Sequence, residues 1–406
     1  MIRMRFALIF SLLAMLIGSE VVVDRVHSAR AGDVRASAPQ FPYRVSGVKK
    51  VIQLIGPSAK SPAAPYAPSA HSLNDTTRWG ICSGDLGSLM YSRGTAYIAL
   101  GDNYQSCPPG TGGPGGDLAP PDWRSNAVGV IPKPGDFAHG LHITRWISRD
   151  GKHATEVIPS VHNAGDCANN QTRECEITTI PTYGFAVQDH LFLAFMSVHH
   201  WGDPGRWDVN YSSFAMSANK GRTWTVETHA IKWGRNSNFA QVAVTPDPTG
   251  RFLCFYGIPG GRFGSAQLMR APNTWRGVLN PKAYQYFTGT NNGQPQWSSK
   301  SAHAVTVADA PVGELSVIYD PGLKHWLMTY LKGNGNLVIR SAAHYWGPWS
   351  QPAALASQQQ FPQLYGAFMN AHFLANKGRT IYFVTSFWVP YSVFWMKATL
   401  NAAGGL

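Results

Sequence analysis

Charge is scarce in this 406-residue chain: only 14% of residues are Asp, Glu, Lys or Arg, and 22 in all are acidic. That is well below the usual quarter. With 41 Gly and 28 Pro, it argues against charged helices and for an all-β chain rich in turns. Metal-ligand spacings such as CxxC and HExxH are missing, and His199-His200 is a lone adjacent pair. This spacing favours a structural or substrate-contacting role over a metal site. A nucleotide-binding glycine fingerprint, a serine nucleophile elbow and a redox motif are also lacking. No cofactor is therefore expected; propellers can hold a calcium ion in the central channel, but nothing in the sequence predicts one here. The net charge is +12, but the Lys and Arg residues are scattered singly. Nucleic-acid binding needs a clustered basic stripe, so it is not expected; long-range attraction to anionic envelope polymers fits better.

Long apolar runs are limited to Phe6–Gly18, which follows Arg3 and Arg5 and is too short to leave a membrane-spanning helix in the mature protein. Ala29-Arg30-Ala31 has the small-x-small form of a cleavage site. Residues 1–31 thus read as a signal peptide or an N-terminal anchor, and the body as secreted or envelope-associated. Five cysteines fit that compartment. Cys82 with Cys107, and Cys167 with Cys175, are close in sequence and read as disulfides. Cys254, inside the apolar run Phe252–Tyr256, reads as a buried free thiol.

Residues 32–75 are rich in Ala, Pro and Ser and read as a lead-in segment, with a short strand at Val51–Ile55. Beyond it, a turn residue followed by an apolar run of about six recurs five times. The copies are Gly94–Gly101, Asp189–Phe195, Gly250–Gly257, Leu323–Tyr330 and Gly378–Thr385. Four are followed by another strand, at Ser213–Ala218, Ser265–Ala271, Asn336–Ala342 and Ser392–Ala398; Leu141–Ile147 is expected to serve the first copy. Apolar strands also precede the runs, at Thr182–Val187, Phe239–Thr245, Glu314–Tyr319 and Ala367–Leu374. Repeated antiparallel meanders of this kind predict an all-β, five-bladed β-propeller over residues 76–406. Ser217-Ala-Asn-Lys-Gly-Arg-Thr-Trp224 resembles the Asp-box turn of propellers, with Asn219 in place of Asp. It stabilises a hairpin and carries no chemistry.

Among so few acids, two stand in small, apolar surroundings: Cys82-Ser-Gly-Asp85-Leu-Gly and Ala99-Leu-Gly-Asp102-Asn. A tight turn at Ser92–Thr95 would bring their strands together and set both carboxylates at one mouth of the channel. Two facing carboxylates are what glycoside hydrolysis needs, one protonated and one ionised. Taken alone, the spacing also fits two aspartates that only hold turns. Asp208 and Glu314 are further candidates for channel carboxylates, His199, His200 and Trp201 for lining the same mouth, and Trp201, Trp388 and Tyr391 for stacking on sugar rings.

The sequence resembles the family catalogued as domain of unknown function 4185, which includes endo-D-arabinanases of glycoside hydrolase family 183. The resemblance runs from about Trp79 to Leu400. It is carried by Gly84-Asp85-Leu86-Gly87, Leu100-Gly101-Asp102, Met196-Ser197 through Trp201-Gly202, and the Asp-box-like turn. Gly313-Glu314-Leu315-Ser316, Trp326–Tyr330, Gly347–Ser350 and Ser386–Tyr391 follow in order. Leu100 departs from the family's usual aromatic, and Asn103 from its common Thr. Members are common in mycobacteria and relatives, whose walls contain D-arabinan. The resemblance implies a five-bladed propeller, Asp85 and Asp102 as the catalytic pair, and endo-cleavage of cell-wall D-arabinan in arabinogalactan or lipoarabinomannan. The competing expectation is a propeller that binds envelope polysaccharide without cutting it.

Overall fold

The computed structural model describes residues 38–56, 74–105, 123–162, 167 and 175–402. Residues 1–31, read above as a signal peptide or anchor, and Cys107 lie outside the described residues. The rest of the structure is described from Ala38 onward.

Five antiparallel sheets make five blades. Their innermost strands are Ser83–Ser92, Thr178–Val187, Gln241–Pro246, Leu315–Asp320 and Leu364–Ala375. Each of these packs on the next, and the fifth packs on the first, so the ring closes. The second strands are Thr95–Tyr104, His190–Trp201, Phe252–Ile258, His325–Leu331 and Thr380–Phe387. They are the five apolar runs read from the sequence. A strand inside a blade is covered by neighbouring blades on both faces. Its sequence therefore reads as a continuous apolar run rather than an alternating one. From Leu191 to Val198 every residue is buried.

In the first blade, Ser92 faces Thr95 across a two-residue turn. Arg93 and Gly94 have φ of 48° and 77°, the left-handed pair that joins two twisted strands. The third strand differs from expectation. It is Ala127–Pro132, paired with Thr95–Leu100, and of the Leu141–Ile147 stretch only Arg145–Trp146 forms a strand, the next one out. The Gly- and Pro-rich stretch between Tyr104 and Trp123 breaks the spacing of the repeat and hid the true third strand.

The lead-in segment also contributes more than a short strand. Tyr43–Gln53 runs antiparallel to Ser392–Ala402 as the outermost strand of the fifth blade. Blade five is thus built from both ends of the described chain, which locks the ring. The Tyr43 hydroxyl lies 2.8 Å from Nδ1 of His325 in the fourth blade. A protein lacking residues 1–53 should lose soluble expression or show a Tm lower by more than about 5 °C, measured by differential scanning calorimetry against a protein starting at Ala38.

Side-chain bonds stitch blade to blade. The Thr329 hydroxyl donates to Ala367 O at 2.7 Å, and Met369 N donates to Ser316 Oγ at 2.9 Å. Asn370 donates to Leu89 O at 3.0 Å and Ser386 to Leu86 O at 3.2 Å. The Asp-box-like turn forms as read. Asn219 Oδ1 accepts from Thr223 N at 2.9 Å, Ser217 Oγ accepts from Gly221 N at 2.9 Å, and Gly221 has φ of 79°. The Trp224 indole donates to Gly221 O at 3.0 Å.

Cys167 is bonded to Cys175, Cys82 is disulfide-bonded, and Cys254 is free and buried. No helix among the described residues is long and apolar enough to cross a membrane.

Candidate active site

The first two strands of blade one place Asp85 against Asp102 through a paired irregularity. Gly84 faces Asn103 and Leu86 faces Leu100, so Asp85 lies opposite the two residues Gly101 and Asp102. The opposite slip follows at once, at Leu86–Gly87, where φ is 63° and 99°. β-Bulges re-aim side chains in this way beside functional sites. A left-handed leucine is also a strained residue of the kind that collects there.

The glycines around the pair are required by space. A Cβ on Gly101 would lie 2.4 Å from Asp85 Oδ1, and one on Gly87 would lie 2.6 Å from Val384 Cγ1. Both motifs therefore have a steric reason for their glycine.

The two carboxyls have unlike surroundings. Asp85 Oδ2 accepts from the Tyr365 hydroxyl at 3.0 Å, while its Oδ1 is buried without a hydrogen-bond partner. Burial, and then the charge of Asp102, push the Asp85 pKa up to about 8, against the hydroxyls of Tyr365 and Tyr391. At neutral pH the group is a carboxylic acid. Asp102 Oδ1 accepts two bonds, from Thr178 Oγ1 at 2.7 Å and from the Trp123 indole at 2.8 Å. Burial raises its pKa to about 6, with Thr178, Trp123 and the charge of His162 pulling it back. One carboxyl is thus set to hold a proton and the other to lose it.

Residues from all five blades build these surroundings. Blade two supplies Thr178. Blade three supplies Arg262, from the loop between its second and third strands. Blade four supplies Glu314, just before its first strand, and blade five supplies Tyr365 and Tyr391. These are the starts of first strands and the loops after second strands, which share one rim.

Several candidates from the sequence sit differently from expectation. Glu314 is buried and gripped by Arg262, with Nη2 at 2.7 Å and Nε at 3.0 Å from Oε1, so it is not a free channel carboxylate. His199 is buried, its Nδ1 3.2 Å from Cys175 O, and does not line the mouth. Asp208 is exposed and faces His200 across its hairpin. Tyr391 is buried beside Asp85, with its carbonyl accepting from Gly84 N at 2.9 Å. Trp201 and Trp388 are exposed by 41% and 48%. They stand at the second-strand ends of blades two and five, the two blades that flank blade one.

Sequence reasoning missed Tyr365, Arg262, Thr178 and Trp123. It also missed His162, whose Nε2 lies 2.6 Å from Glu156 Oε1 and whose ring packs edge-on against Trp123. Trp123, Arg124, Glu156 and His162 help line a cleft of about 370 Å³ beside Asp102. The one available signal was positional and covers Thr178 and Tyr365 alone: they start first strands, as Asp85 does.

A ring of five blades carrying two differently tuned carboxyls on one rim defines a class, the five-bladed β-propeller with a paired-carboxylate site. Residues 71–397 match the family described as Domain of unknown function (DUF4185), and the chain belongs to that family. It is 25% identical over 336 residues to notoamide biosynthesis cluster protein J of Aspergillus sp. (strain MF297-2), covering 78% of this chain and 82% of that protein. The fold is similar to that of a presumed hydrolase from Bacteroides ovatus, with a TM-score of 0.52 and 12% identity over 80% of this chain and 87% of the other. A GH43_1 enzyme from Xanthomonas citri matches with a TM-score of 0.45 and 13% identity, over 81% of this chain and 90% of that one.

Proposed function

We propose that this protein is a glycoside hydrolase of the cell envelope that cuts D-arabinan internally, as in arabinogalactan or lipoarabinomannan. The observation that carries the reading is the unlike tuning of Asp85 and Asp102 on adjoining strands. Pairs of titratable groups whose surroundings push their pKa values apart mark acid and base roles. The exposed indoles of Trp201 and Trp388, on the blades either side of the pair, add platforms for sugar rings. The choice of D-arabinan rests on the resemblance to endo-D-arabinanases, and export on the apolar run behind Arg3 and Arg5.

In this reading Asp85 is the acid. Its proton passes to the glycosidic oxygen as the bond from that oxygen to the anomeric carbon breaks. Asp102, ionised and held through Oδ1 by Thr178 and Trp123, offers Oδ2 to a water or to the anomeric carbon. Bonds to Oδ1 alone fix the carboxylate without occupying its second oxygen. The chemistry uses these two groups and no cofactor.

The pH dependence tests the assignment. The base must be ionised, so activity falls as pH drops through about 6. The acid must be protonated, so activity falls as pH rises through about 8. Release of reducing ends from D-arabinan, measured as kcat/KM, should peak between the two. A profile that keeps rising above pH 9 would remove Asp85 from the acid role.

A further inference from the structure

Glu314 and Arg262 belong to different blades and neither bonds to the reacting carboxyls, yet Glu314 is buried and Arg262 largely covered beside them. Arg262 lies in the loop after the second strand of blade three, its backbone N donating to Gly205 O at 2.8 Å. Its guanidinium is 5.1 Å from the centre of the Tyr365 ring and 5.6 Å from that of Trp207. Tyr365 in turn donates its hydroxyl to Asp85 Oδ2 at 3.0 Å. The order through space is therefore Glu314, Arg262, Tyr365, Asp85.

A guanidinium stays charged in any protein interior. An unmatched positive charge close to a buried carboxyl favours its ionised form and lowers its pKa by about 1–3 units. Left alone behind Tyr365, Arg262 would draw the proton off Asp85. Glu314 opposes this by accepting three bonds from the fork, from Nε at 3.0 and 3.2 Å to its two oxygens and from Nη2 at 2.7 Å to Oε1. The carboxylate's negative charge itself also favours the protonated form of Asp85. The remaining groups acting on Asp85 are Asp102 on the adjoining strand and the hydroxyl of Tyr391 in blade five.

We propose that Glu314 is a positioning residue for the reaction: by pairing with Arg262 it cancels the positive charge behind Tyr365 and so keeps the proton on Asp85. The inference rests on Asp85 as the acid, and it replaces the channel-carboxylate role expected of Glu314. The Arg262 guanidinium packs over the Tyr365 ring, not its hydroxyl, so the bond from Tyr365 to Asp85 does not depend on it.

The test follows the proton itself. The carbonyl stretch of protonated Asp85 is read by infrared difference spectroscopy, wild type minus Asp85→Asn, as pH is raised, beside the pH profile of kcat/KM. In Glu314→Gln the midpoint and the alkaline limb should move down by about one unit or more. In Arg262→Gln/Glu314→Gln, with no net charge in the pair, both should return to within about 0.3 unit of wild type, less than any single unpaired charge would cause. A folded Glu314→Gln with an unmoved midpoint overturns the proposal. If that variant does not fold, the double variant decides: a midpoint displaced by a unit overturns it, and one that matches wild type supports it. If D-arabinan is not cleaved at all, the hydrolase reading fails, while the infrared midpoint still reports on the Glu314 pairing.

Discussion

Asp85→Asn should lose at least about 100-fold and up to about 10⁴-fold in kcat on D-arabinan, the usual range for removing a positioned proton donor, while its fold survives. The amide fits the same space, but it cannot deliver a proton. Stability should move the other way. The folded pKa of Asp85, about 8, lies above the ordinary 3.8, so the folded protein holds a proton that the unfolded chain releases. Between those values each rise in pH costs the wild type stability. Asn carries no such cost, so the Tm of Asp85→Asn should equal or exceed that of wild type, with the gap widening from pH 4 to pH 8. Asp102→Asn should lose activity by a similar factor. Its gap should level off near pH 6, the lower folded pKa of that group. Variants that lose activity by unfolding would show a lower Tm instead.

Gly101→Ala should be nearly as damaging to activity, although it adds and removes no titratable group. Its Cβ would lie 2.4 Å from Asp85 Oδ1 and 3.0 Å from Leu86 Cδ1. Something must move, and the Asp85 carboxyl is the least constrained neighbour, since its Oδ1 has no hydrogen-bond partner to hold it. A catalytic group displaced by about an ångström costs on the order of 100-fold, and overpacking costs about 1–3 kcal/mol of stability. We expect a folded protein with kcat reduced about 100-fold and the acidic limb of its pH profile in place, because Asp102 keeps its bonds to Thr178 and Trp123. Wild-type turnover by Gly101→Ala would mean that the Asp85 carboxyl does not take part.

The fold was legible where it repeats, and the acidic pair where it is local. Second strands of the blades stand out because both of their faces are covered, which leaves unbroken apolar runs such as Leu191–Val198. Asp85 and Asp102 stand out because one hairpin joins them, so pairing across a two-residue turn brings them together without knowledge of the ring. What was not legible depends on closure. Tyr365 is 280 residues from Asp85 along the chain, and no periodicity within a strand predicts which blade follows which around the axis. Glu314 was visible as a scarce acid, but its occupation by Arg262 of another blade was not. The third strand of blade one was concealed by the long Gly- and Pro-rich insertion that precedes it. The strand Tyr43–Gln53 lies in a segment whose composition reads as a tether, and its role comes from pairing with the chain's other end.

In the proposed reading, Asp85 and Asp102 together break glycosidic bonds in D-arabinan. The most direct measurement is incubation of the protein, without residues 1–31, with purified mycobacterial arabinogalactan, following released oligosaccharides by mass spectrometry beside Asp85→Asn and Asp102→Asn. The expected result is a ladder of arabinose oligosaccharides from wild type that is absent with either variant. No products from a folded wild type that still binds the polymer would contradict it, and would make this propeller a polysaccharide-binding protein.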